Sequence, residues 1–174
     1  MGEDAELVPV EIVGVRQHLA DEEIVVLLLD PDSELLVPIL IGPAEASAIA
    51  SAQAGIVPPR PMTHDLLRDV LIATGSGLTR VEITRLEDGV FHAELVLRTG
   101  PRVDSRASDA IAMALRFGCP VLCSAEVVAV AGVEVRTTTS EQDLERFRRF
   151  LDVVTPEDFT TGVEPDDQGG AEGR

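Results

Sequence analysis

The sequence predicts an α+β domain, in which a mixed and mainly antiparallel sheet combines with Ala-rich helices. Three observations predict it. Short segments rich in Val, Ile and Leu alternate with turn residues, as strands do. Two Ala-rich segments follow such strands and read as helices. A shift of 64 residues lays Glu45 on Asp109, Ala46 on Ala110, Ala48 on Ala112 and Ala50 on Ala114, which points to an internal duplication of a three-strand-plus-helix unit.

The first strand is expected over Leu7 to Val15 and the second over Glu23 to Leu29, nearly all apolar and so expected to be buried on both faces. Asp30-Pro31-Asp32-Ser33 is a turn, and Leu35 to Ile41 a third strand. Gly42-Pro43 opens a helix, since Pro is tolerated at the first helical position, and Gly55 closes it. Ile56 to Pro61 carries three prolines and must run extended. Thr63 is suited to cap a helix with an apolar stripe of Leu66, Leu67, Val70 and Leu71, ended by Gly75-Ser76-Gly77. Arg80 to Arg85 and Val90 to Arg98 form a hairpin about Glu87-Asp88-Gly89. In its second strand Phe91, Ala93, Leu95 and Leu97 fall on one face. Arg102 to Ser105 is a short strand, Ser108 caps a helix over Asp109 to Phe117, and Val121 to Val128 is a last strand. The domain is thus expected over 1–136. A linker and a C-terminal amphipathic helix, with Leu144, Phe147, Phe150 and Leu151 on one stripe, follow over 137–159. Residues 160–174 form an acidic tail with too little apolar surface to fold.

Composition narrows the function. The net charge is −17 and there is no Lys. Non-specific nucleic-acid binding runs on basic residues, so any such contact is expected to be weak, roughly 10⁻⁴ to 10⁻⁶ M. The stretch from Ile56 to Gly118 is nevertheless neutral, with eight Arg against eight acidic residues. If the chain meets a polyanion, it does so there. With no Trp and no Tyr, a base-stacking platform for single strands is not expected. The acidic N-terminus lacks the pattern of a secretory signal, and no apolar run is long enough for a membrane span. Cys119 and Cys123 stand four apart, too far along a strand for a disulfide. A cytoplasmic protein with reduced thiols and no membrane contact is expected.

Two constellations carry candidate chemistry. In Arg60-Pro61-Met62-Thr63-His64-Asp65-Leu66-Leu67-Arg68-Asp69, the pairs His64/Arg68 and Asp65/Asp69 each stand four apart and share one polar edge of a helix. The helix dipole disfavours imidazolium at its N-terminus, so a neutral His64 is placed to act as base or ligand. In Arg102-Val103-Asp104-Ser105-Arg106-Ala107-Ser108-Asp109, two carboxylates flank the approach to a helix N-terminus, where anions are received. Arg60, Arg68, Arg102, Arg106 and Ser108 are the candidate phosphate contacts. Asp65, Asp104 and Asp109 are the candidate ligands of Mg²⁺ or Mn²⁺, and no organic cofactor is expected. The alternative at both places is a solvated helix face with surface ion pairs. His92 with Glu94 is a weaker pair, and His18 has no assigned role.

At these constellations the chain resembles the bifunctional nuclease domain family. The resemblance runs through Val37-Pro38-Ile39-Leu40-Ile41-Gly42, Pro59-Arg60-Pro61-Met62-Thr63-His64-Asp65-Leu66-Leu67 and Val103-Asp104-Ser105-Arg106-Ala107-Ser108-Asp109-Ala110-Ile111. Phe147 to Phe159 is similar to the tail of actinobacterial members. The resemblance implies a mixed α/β fold, self-association and cleavage of both DNA and RNA. Ser105 stands where the family mostly has Ala, and Ala107 where it mostly has Pro, so the approach to the helix is expected to be looser here. Two functions stand side by side. One is a metal-assisted phosphodiesterase using His64, Asp65, Asp104 and Asp109. The other is a non-catalytic oligomeric binding or regulatory module with the same fold. In the first, the His64 and Asp109 segments should meet in one pocket.

Overall fold

The computed structural model describes residues 6–17 and 23–134. The chain divides into two units, Met1–Val135 and Arg136–Arg174. The expected linker, C-terminal helix and acidic tail lie outside the described residues, as does His18. The first unit is α+β. Its strands are β1 (Leu7–Gln17), β2 (Ile24–Asp30), β3 (Leu35–Ile41), β4 (Leu78–Glu87), β5 (Val90–Leu97), β6 (Arg102–Arg106), β7 (Val121–Ser124) and β8 (Val133–Glu134). Its helices are α1 (Pro43–Gln53), α2 (Thr63–Ala73), α3 (Ala107–Phe117) and α4 (Ala125–Ala131).

The strands form one sheet in the order β6-β5-β4-β7-β1-β2-β3-β8. Every neighbouring pair is antiparallel except β4 and β7. β1 joins the two halves: Leu7 to Val10 pair with β7, and Glu11 to Gln17 pair with β2. A register shift between Ile12 and Gly14 marks a bulge, where Gly14 takes φ 137°, a backbone open to Gly and strained for other residues. Each half is a three-strand meander followed by a helix, β1–β3 with α1 and β4–β6 with α3, apart from the intervening α2. Helices α1 and α3 begin at Pro43 and Ala107, the offset read from the sequence.

Helix α3 lies at the centre. Ala107, Ser108, Ala110, Ile111, Ala112, Met113 and Ala114 are all buried. It touches α1, α2 and strands β3 to β6. Small side chains permit this close enclosure. Val26, Leu28, Val37 and Ile39 from one half of the sheet, and Val81, Ile83, Ala93 and Leu95 from the other, join it in the core.

Several boundaries differ from expectation. The segment Val121 to Val128 is not one strand: β7 ends at Ser124 and α4 starts at Ala125. An apolar run fits either state, and Ala-Glu after Ser favours the helix. β2 is not buried on both faces but alternates buried with half-buried residues. Thr63 and Ser108 do not cap their helices. Thr63 is the first residue of α2 after Met62, and Ser108 lies inside α3 after Arg106. No loop stands before α3: β6 ends at Arg106 and the helix starts at Ala107. Leu66, Leu67, Val70 and Ile72 of α2 are exposed, and α2 buries no residue fully. Cys119 and Cys123 are free thiols, half-buried and buried. Burial, with Asp30 adding to it, pushes Cys123 up to about 12, which leaves it inert as a nucleophile.

The β2–β3 turn hangs on Asp30, only 5% exposed. Its carboxylate accepts from the Ser33 hydroxyl at 2.6 Å and the Asp32 N–H at 3.0 Å. The Ser33 bond holds this carboxyl below its usual range, against the opposing effect of burial. Asp30→Ala should lower unfolding stability by about 2 kcal/mol, the value of hydrogen bonds to a charged group. Urea denaturation at neutral pH measures it, and an unchanged midpoint would show that the turn does not depend on Asp30.

Candidate functional site

Two helix starts converge. The proline-rich stretch before α2 sets the chain extended, so His64 falls in the first turn of that helix. β6 delivers Arg106 to the start of α3 and Asp109 to its first turn. His64 Nε2 lies 2.9 Å from Asp109 Oδ1. The other Asp109 oxygen accepts from Arg106 Nε at 2.6 Å, and Arg106 Nη1 reaches Glu45 Oε1 of α1 at 3.0 Å. The result is a chain of contacts, His64–Asp109–Arg106–Glu45, drawn from three helix starts. It borders an open cleft of about 300 Å³, with Ser47 and Met62 among the other walls.

A second tie lies behind it. Arg116, whose side chain is 7% exposed, donates from Nε to Asp65 Oδ1 at 2.6 Å. Its Nη1 donates to the carbonyls of Ala48 and Ala112. Asp65 also accepts the Met62 N–H at 3.1 Å, closing the first turn of α2. Arg116 and Glu45 belong to this cluster although their types alone did not single them out. The spacing offered a signal: Arg116 stands seven residues after Asp109, hence on the same face of α3.

The electrostatics are nearly balanced. Glu45, Asp65 and Asp109 face Arg106 and Arg116. Burial pushes the Asp109 carboxyl up, but hydrogen bonds from Arg106 and His64 outweigh it, so the group titrates below its usual range. The Arg116 bond holds Asp65 below its range as well.

The remaining candidates lie elsewhere. Asp104 is exposed on β6, paired in register with Glu94, and does not join Asp109. Alternation along the strand turns it to the sheet face away from the core, with Glu94. Arg102 is on that face too, donating to Glu94 at 2.6 Å and closely to the buried Glu82. Arg68 is held by its neighbour Asp69 at 2.7 Å. Arg60 is exposed, with no hydrogen-bond or ion-pair partner among the described residues. Ser108 is buried at the start of α3. His92 sits with Arg85 Nη2 at 3.2 Å and Glu87 rather than with Glu94.

These placements bear on the expected metal. Asp65, Asp104 and Asp109 do not share a site, and no three His, Cys, Asp or Glu side chains among the described residues group as ligands. In the cleft both carboxylates, Asp109 and Glu45, already bind the Arg106 guanidinium. A cationic side chain occupies the place between them, so this donor set does not fit a divalent cation.

The fold and this junction define a mixed-sheet domain whose two motif segments meet at two helix starts. The family model of the bifunctional nuclease domain matches residues 26–136, and the chain belongs to that family. It is 40% identical over 158 residues to an uncharacterized protein of Mycobacterium tuberculosis, covering 86% of this chain and 96% of that one. It is 24% identical over 155 residues to the bifunctional nuclease of Oryza minuta, covering 86% of this chain and 45% of that protein. Bifunctional nuclease 1 of Oryza sativa subsp. japonica matches to the same extent.

Replacing Arg116 by Met should cost about 3 kcal/mol, because it strands the largely buried Asp65 carboxylate. Amide exchange should rise first in α2. Because Asp65 and Asp109 are both depressed in the folded state, their contribution is full above the unfolded carboxylate range at about pH 4. It is lost as pH falls through the folded values. Denaturation midpoints compared at pH 7 and pH 3 should therefore drop less in Arg116→Met than in the native chain. An equal drop in both would show that the Asp65 pair carries no such linkage.

Proposed function

We infer that the chain cleaves phosphodiester bonds, with His64 as general base and Arg106 on the phosphate. The observation that carries this is the 2.9 Å contact of His64 with Asp109 at the edge of an open cleft, with Arg106 on the same carboxylate. A neutral His64 that donates Nε2–H to Asp109 keeps its lone pair on Nδ1. Asp109 then fixes tautomer and ring orientation, as a third group does for a catalytic base. A water at Nδ1 loses a proton to the ring as its oxygen bonds to phosphorus. The opposite P–O bond breaks, and the leaving oxygen takes a proton from solvent. Arg106, with its side chain 66% exposed, donates to a non-bridging oxygen and offsets the charge that develops there. The names of the two rice relatives favour nucleic acid as the substrate. The net charge of −17 favours weak binding.

A second reading has an observation of its own. Helix α2 has no fully buried residue, and its polar ties to α3 run through His64 and Asp65. On that reading the same contacts are a clasp, and the chain is a non-catalytic binding module.

The expected outcome for the first reading is cleavage of single-stranded DNA and RNA oligonucleotides that persists in EDTA, since no step needs a divalent cation. Asp109→Asn should lower kcat by roughly 10²- to 10⁴-fold, the usual contribution of a positioned base. His64→Gln should do the same, with circular dichroism unchanged. Absence of cleavage in the native chain over a broad pH and metal range would favour the clasp. Activity that vanishes in EDTA would remove the metal-free mechanism.

A further inference from the structure

On the far side of the Arg106–Glu45 pair lies a second and larger cleft of about 560 Å³, within the ~300–1,000 Å³ range of small-ligand pockets. The end of β3, the β4–β5 turn and the start of α3 form it. Arg106 and Glu45 line both clefts, so the two adjoin and share that ion pair as a wall. The walls are apolar. Leu40 is 62% exposed on one side and Val90 57% exposed on the other, with half-buried Phe91 beside Val90. Apolar side chains that line one concave cleft and stay open to water suit a ligand with apolar faces. The polar groups at its base are few. The Glu45 carboxylate has one oxygen on Arg106, leaving the other to accept. The side chain of Ser108, 9% exposed, makes no hydrogen bond to the described residues, although no buried side-chain polar atom is left without a partner. Ser108 is one of the residues that line the cleft. No side chain caps the start of α3 beside it.

We propose that this cleft is a nucleobase slot, which takes the base of a nucleotide whose phosphate lies on Arg106. This rests on the phosphodiester reading above and names the substrate unit it would recognise. A base is flat, neutral and apolar on its faces, which suits Leu40, Val90 and Phe91. Its edge carries polar groups, which suit Ser108 and Glu45. The acceptor oxygen of Glu45 selects bases with an exocyclic amino group, adenine, cytosine or guanine, over uracil. Arg106 then has a positional role. It spans the junction between base and scissile bond, so a nucleotide bound in the slot presents its phosphate towards His64. The slot also fits the charge of the chain. A neutral ring meets none of the repulsion that an acidic protein offers to a polyanion.

The test is titration of the full chain with AMP, CMP, UMP and ribose 5-phosphate, read from amide chemical shifts. AMP and CMP should shift Val90, Phe91 and Ser108 saturably. UMP and ribose 5-phosphate should bind about tenfold more weakly or less, the base faces and the amino group each contributing. Val90→Asp and Leu40→Asp, both at exposed positions that leave the core untouched, should each abolish AMP binding while the rest of the spectrum stays native. Glu45→Gln should narrow the gap between AMP and UMP. AMP that binds equally well to both wall variants, or that produces no saturable shifts at these residues, overturns the slot. Oligonucleotide cleavage in the native chain, combined with that failure, leaves the phosphodiesterase reading standing. Saturable AMP binding at the slot without any cleavage leaves the slot standing and removes the phosphodiesterase.

Discussion

The enclosure of α3 sets the rest of the molecule. A helix touched by two other helices and four strands can be accommodated only if its side chains are small, and Ala at 107, 110, 112 and 114 meets that demand. An enclosed helix offers little but its ends for chemistry. Its first turn carries Asp109 and its last carries Arg116, seven residues apart on one face. These two groups receive His64 and Asp65 at the start of α2. The polar cluster is thus a consequence of packing. The helix that is most buried fixes the helix that is least buried, through two polar contacts.

Much of this was legible in the residues, for identifiable reasons. Alternation and turn chemistry placed the β4–β5 hairpin, where Asp88 and Gly89 both take positive φ as a tight turn requires. Pro43 and Gly42 placed the start of α1. His64 and Asp109 were each at a helix start after an extended run, and the two do meet. Other parts could not be read this way. Asp104 lies five residues before Asp109, but it sits inside β6 opposite Glu94, whereas Asp109 is in the first turn of α3. Nearness in sequence outside a helix does not put side chains on one side. Glu45 and Arg116 were in view within the motif segments, yet their roles depend on how α1 and α3 pack, which no local pattern encodes. The apolar stripe on α2 was read correctly as amphipathic, but periodicity does not say what a stripe faces, and here Leu71 packs on the core while Leu66, Leu67 and Val70 are exposed.

Charge shapes the functional account. Three carboxylates and two guanidiniums meet at the helix junction, in a chain of net charge −17. Such a surface does not steer a polyanion, so on the proposed phosphodiesterase reading recognition would come from short-range contacts. Arg106 is the one exposed cation shared by both clefts, which makes it the point where a phosphate and a base would be read together. Its two acidic partners hold it in place and also weaken its pull on an anion. On the proposed reading, a modest affinity with a fixed geometry follows.

The central claim is that Asp109 fixes the tautomer of His64. Long-range ¹H–¹⁵N correlation of the histidine imidazoles reads this directly, with His64→Gln assigning the signal. The account predicts a neutral ring protonated on Nε2, with a bare Nδ1, and a mixture of tautomers once Asp109 is replaced by Ala. A ring protonated on Nδ1 and bare on Nε2, unchanged in Asp109→Ala, would contradict it.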